Sequence, residues 1–184
     1  MTTLLKSLAV ARRSGSPISV TSVCSAHPLV IRAAARNAAK FSDTLLIEAT
    51  CNQVNQFGGY TGMQPADFVA LVRRIATEEK LPVERIIFGG DHLGPNPWRS
   101  EDAEHAMAKA EAMVAAYVAA GFRKIHLDAS MGCAGEPAAL DDATTAKRAG
   151  QPDDYYDDAN SFRRRLAQDV ASKARVLARL KAQP

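Results

Sequence analysis

The chain has 184 residues, 47% hydrophobic and 23% charged, the make-up of a folded protein with one good-sized core. A formal net charge of +3, with no stretch that interleaves basic and aromatic residues, excludes a nucleic-acid footprint. No apolar run reaches the length of a membrane span, and the opening MTTLLKSLAVARRSGSP is too short and interrupted for a secretory signal, its arginines and serines leaving a mitochondrial presequence as the alternative.

Four apolar, β-branched runs read as strands in chain order: PISVTSVCS from Pro17, TLLIEATC from Thr44, RIIFGGDH from Arg85 and KIHLDASM from Lys124. Their first halves are aliphatic on both faces, as strands buried on both sides require. Helical patterns separate them. PLVIRAAARNAAKF follows His27, and PADFVALVRRIATEE places Pro65 in a first turn, where the missing N–H costs nothing. SEDAEHAMAKAEAMVAAYVAAGF places Ser100 as N-cap and Gly121 as the stop. Strand and helix alternate, which predicts βα units and a parallel sheet.

Each strand ends the same way, in CSAH, EATCNQ, GGDHLG and DASMGC. Polar and small residues thus gather at the carboxyl ends, the side where βα folds build their sites. The long, glycine-rich connections and the lack of GxGxxG after the first strand favour a (β/α) barrel of TIM type over a Rossmann sheet. Four strands make about half a barrel, since a complete one rarely fits below about 200 residues. The predicted domain is therefore a partial barrel over 1–150. Beyond it, 151–184 reads as an acidic linker and a basic amphipathic helix bearing Phe162, Leu166, Val170, Leu177 and Leu180. Half a barrel leaves a sheet edge to cover, so an oligomer or a partner is expected.

The chemistry concentrates in GGDHLGPNPW. His92 can ligate a divalent metal, and Asp91 beside it can act as general acid or base. Neighbours on a strand point to opposite faces, so both reach one site only if the strand ends there. The alternative is structural: Asp91 caps the loop and His92 packs on Trp98. Asp128, in HLDAS, can orient His92, share a cation or bind a substrate hydroxyl; equally it can cap the turn or bond Ser130. His126 reads as a buried structural histidine. In EATCNQVNQFGGYTG the amides of Asn52, Gln53, Asn55 and Gln56 offer substrate contacts, and the glycines offer backbone approach to an anion. Glu48 is a site residue or the partner of a basic side chain. Cys24, Cys51 and Cys133 form no CxxC pair; they read as small buried hydrophobes in a reduced, cytoplasmic chain. No GxxxxGK[ST] is present, which argues against a kinase.

SVCSAHPLVIRAA, LLIEATCNQVNQFGGYTGMQPADF, RIIFGGDHLGPNPW and GFRKIHLDASMGCAGEP together closely resemble the Z-subunit family of D-tagatose-1,6-bisphosphate aldolase, over about Ser16 to Arg148. The resemblance implies kinship with class II, metal-dependent aldolases of TIM-barrel fold. In those enzymes a DH at a strand end supplies the acid/base Asp and a metal-binding His, and an IDGS-like motif follows. The matching residues are Asp91, His92, Asp128 and Ser130. The resemblance also implies a non-catalytic accessory subunit that supports a catalytic aldolase subunit in galactitol or N-acetylgalactosamine catabolism, with Asp91 vestigial. The alternative is a class II-type lyase acting directly on a phosphorylated ketose. Zn²⁺ is the implied cofactor, yet such sites normally take three protein ligands. His92 and Asp128 leave the third missing, and no histidine follows His126, so weak zinc retention is expected. The family's chains are much longer, and the match lapses from about Ala149.

Overall fold

A computed structural model describes Ser7, residues 10–16 and residues 19–150. The amphipathic helix expected after Gln151 lies outside the described residues. The chain falls into two compact units, Met1–Leu93 with Ala110–Leu127, and Gly94–Lys109 with Asp128–Pro184.

Among its described residues the first unit holds four strands: β1 (Ser22–Cys24), β2 (Leu45–Thr50), β3 (Ile86–Leu93) and β4 (Lys124–Leu127). They form one parallel sheet in the order β1-β2-β3-β4. The fold is α/β with consecutive parallel neighbours, consistent with an arc of a (β/α) barrel. Among the described residues of the first predicted run, Ser22–Cys24 is paired as strand.

Helix α1 (Pro28–Phe41) starts where Pro28 fixes the backbone and the His27 side chain accepts from the Leu29 N–H. Helix α2 (Pro65–Glu78) carries a capping box, Gln64 with Asp67, around Pro65. Helix α3 (Ala103–Ala119) is capped not by Ser100, as expected, but by Asp102: its Oδ1 accepts from the His105 N–H at 3.1 Å, and its carbonyl from the Ala106 N–H. The carboxylate two residues further on reaches the free N–H groups of the first turn better.

Burial follows the patterns. Ile31, Ile47, Phe68, Ile75 and Met113 are fully enclosed. Phe122 gathers the rings of Tyr117, Phe88 and Phe68, with centroids at 4.4, 5.8 and 6.0 Å, so aromatic packing closes the sheet on α2 and α3.

The second unit is tied by polar contacts. Lys109 pairs with Glu101 at 2.6 Å, and Arg148 grips Glu136 through both its terminal nitrogens. Helix α4 (Asp142–Ala149) is capped by Asp141 and ends at Gly150.

Candidate functional site

The sheet register assembles the site. Cys24, Glu48, Gly89 and Lys124 stand abreast, one from each strand. Residues abreast in a parallel sheet share a face, and so do residues two apart on one strand. Ser22, Asp91 and His126 therefore join that face. Among the four in the row only Gly89 lacks a side chain. A Cβ there would overlap the Glu48 carboxylate, so the glycine gives Glu48 and Lys124 room to meet across β3.

Asp91 is the hub. Its Oδ1 lies 2.8 Å from His126 Nδ1 and 3.5 Å from Lys124 Nζ; its Oδ2 lies 3.0 Å from His92 Nδ1 and 3.4 Å from Cys24 Sγ. Burial pushes its pKa upward, but bonds from His126, His92 and Cys24 and the Lys124 charge outweigh it, holding the carboxyl well below the usual range. An ionised carboxylate only accepts, so both imidazoles present Nδ1–H to it and keep Nε2 as their second nitrogen. Although Cys24 as a whole is exposed, its thiol is partly desolvated against Asp91, and this together with the bond to Asp91 pushes the thiol up to about 12. It serves as a donor to Asp91, not as a nucleophile.

His92 should face away from Asp91 by strand alternation. It does not, because the β3–β4 register slips between Gly90 and Leu93, and His92 adopts φ +50°. Such a bulge re-aims a side chain, and the left-handed backbone at a non-glycine residue is strained. The His92 and His126 rings then sit 4.5 Å apart. Cys51 Sγ steadies the turn by donating to the His92 carbonyl at 2.9 Å.

Asp91, His92 and His126 each offer a ligand atom, all within 4.8 Å of one another. Two imidazoles and a carboxylate are a donor set of catalytic zinc sites, which leave a position open for water or substrate. The residues fit a divalent cation. This corrects two expectations. His126 is a half-exposed partner of Asp91 rather than a buried structural histidine, and it supplies the donor that the sequence reading lacked. Its signal lay in Lys124-Ile125-His126: period two places His126 beside Asp91 once the register is known.

The other expected residues make local contacts of their own. Asp128 Oδ1 accepts from the backbone N–H and hydroxyl of Ser130 at 3.0 and 2.6 Å, the local turn that was one of its two readings. Gln53 Oε1 accepts from the Thr50 N–H, while Asn52 is exposed and its carbonyl takes the Tyr60 N–H. Asn55 is buried and organises the loop, donating to the Cys51 carbonyl and accepting from the Phe57 and Gly59 N–H groups. Gly59 approaches the Gln53 carbonyl of its own chain: an added Cβ would lie 2.5 Å from that oxygen. Local packing accounts for this glycine without an anion. Asp91 accepts from side chains, so the loop-cap alternative gives way as well. Of the cysteines, Cys51 and Cys133 are buried as expected but Cys24 is exposed.

Fold and site together define a parallel (β/α) protein with a carboxylate–imidazole centre at its strand ends. The chain belongs to the D-tagatose-1,6-bisphosphate aldolase subunit GatZ/KbaZ-like family, whose model matches residues 5–162. It is 70% identical over 151 residues to D-tagatose 6-phosphate 4-epimerase of Agrobacterium fabrum, covering 82% of this chain and 36% of that protein. It is 57% identical over 147 residues to D-tagatose-1,6-bisphosphate aldolase subunit GatZ of Klebsiella pneumoniae, covering 80% and 35%. A crystal structure described as a probable tagatose 6 phosphate kinase from Sinorhizobium meliloti superposes with TM-score 0.71 at 56% identity, covering 83% of this chain and 37% of that one. The chain thus spans about a third of the length of these relatives. Among the described residues no helix is long and apolar enough to cross a membrane.

Proposed function

We propose that this chain carries the cation-binding centre of an enzyme acting on a phosphorylated ketose of the tagatose type. The observation that carries the reading is the convergence of Asp91, His92 and His126. A divalent cation held there would polarise the ketose carbonyl, the need shared by aldol cleavage and by inversion at a neighbouring hydroxyl-bearing carbon. Asp91, kept ionised and already engaged by several donors, has little basicity left. It serves as one of the three groups that would hold the cation, rather than as the proton acceptor. The 4-epimerase relative supports an active enzyme. The kinase description of the Sinorhizobium protein finds no P-loop here to support it.

The test is cation retention by the purified chain, followed by conversion of D-tagatose 6-phosphate and of the 1,6-bisphosphate. Near-stoichiometric Zn²⁺, lost in His126→Ala and Asp91→Ala, is expected. Retention unaffected by either substitution, or none at all, overturns the reading.

A second reading rests on the GatZ relatives, named as aldolase subunits: an accessory chain in the cytoplasm that stabilises a catalytic aldolase subunit within an oligomer. It predicts a longer activity half-life of that partner on mixing, unchanged in Asp91→Ala. A half-life that does not move eliminates it.

A further inference from the structure

Glu48 is 3% exposed, a sealed carboxylate in the middle of the sheet. Such a group needs a counter-charge. The Ser22 hydroxyl donates to its Oε2, and Lys124 Nζ lies 2.5 Å from its Oε1. The same ammonium lies 3.5 Å from Asp91 Oδ1. One lysine thus bridges a buried carboxylate and the carboxylate of the candidate centre. The bridge exists because Gly89 leaves the space between β2 and β4 empty.

Leaving the imidazoles aside, Asp91, Glu48 and Lys124 sum to a charge of −1. Lys124 repels a cation bound by Asp91, and Glu48 both offsets that repulsion and draws the ammonium away from Asp91. We infer that Lys124 is a positioning residue whose charge, anchored by Glu48, sets the affinity of the Asp91–His92–His126 centre for a divalent cation. The inference deepens the metal reading proposed above and rests on it.

The charges act with opposite sign, and this separates the inference from a merely structural role. Lys124→Met removes the repulsion and should tighten cation binding. Glu48→Gln leaves Asp91 as the sole carboxylate partner of the ammonium and should weaken it. Damage to the fold would weaken both. A unit charge about 5 Å from a divalent ion changes affinity by about tenfold in bulk-water dielectric at low salt.

The experiment titrates the full 184-residue chain with Zn²⁺ against a chromophoric chelator, and with Co²⁺ followed by visible absorption. At low salt, about tenfold tighter binding is expected in Lys124→Met and a smaller weakening, about threefold or more, in Glu48→Gln, with Lys124→Arg near wild type. Should Lys124→Met fold poorly with Glu48 unpaired, the double variant Glu48→Gln/Lys124→Met isolates the lysine charge and should bind more tightly than Glu48→Gln alone. Cation binding that is indifferent to Lys124, or weakened in both single variants, overturns the inference and leaves the metal reading standing. No cation retained by wild type or any variant overturns both.

Discussion

Asn55→Ala tests whether the β2–α2 loop is built by one buried amide. Asn55 is 5% exposed, and its side chain makes three bonds: to the Cys51 carbonyl at 3.0 Å, from the Phe57 N–H at 2.9 Å and from the Gly59 N–H at 3.1 Å. Removing it takes a hydrogen bond from the carbonyl of Cys51, itself only 1% exposed, at a cost of about 0.5–1.5 kcal/mol. Phe57 and Gly59 are exposed, so water replaces part of their loss, and each adds about 0.5 kcal/mol. The expected total is about 1.5–2.5 kcal/mol, which for a chain of this size lowers Tm by roughly 3–10 °C. Thermal unfolding reads the global part, and amide exchange at Phe57 and Gly59 reads the local part. A Tm change under about 1 °C with unaltered exchange at both amides would refute the assignment and return Asn55 to the pool of ligand-binding amides.

Further outcomes follow from the same contacts. Tyr117→Phe removes a hydroxyl that donates to the Val54 carbonyl at 2.8 Å inside the core, and urea unfolding should show a loss of about 1–2 kcal/mol. Gly59→Ala meets both φ +54° and a carbonyl at 2.5 Å, so it should destabilise by more than about 1 kcal/mol, whereas Gly62→Ala, with open space around it, should pay only the strain of its positive φ. Folding lowers the pKa of Asp91. Its contribution is therefore fully present above the unfolded carboxylate value of about 4 and is lost as pH falls through the lower folded value. Asp91→Asn should flatten the acid limb of the stability–pH profile, and an unchanged limb would show that the ionised carboxylate contributes nothing.

Local signals in the sequence settled the elements. Pro28 and Pro65 open helices at the expected residues, Gly150 closes another, and four aliphatic runs with polar ends became four parallel strands. Such features depend on backbone geometry and periodicity, which a short window contains. Asp91 and His92 were also legible, because a charged pair between glycines at the end of a buried strand has few purely local explanations. Period two alone even places His126 on the side of Lys124. What no window contains is register. Only pairing among strands separated by long helices decides that Cys24, Glu48, Gly89 and Lys124 form one row, so that the ammonium spans two carboxylates and His126 stands beside Asp91. The left-handed turn at His92 belongs to the same class: it follows from a slip between β3 and β4. A slip of one residue would carry every one of these side chains to the opposite face, and that choice rests with the packing of the whole sheet.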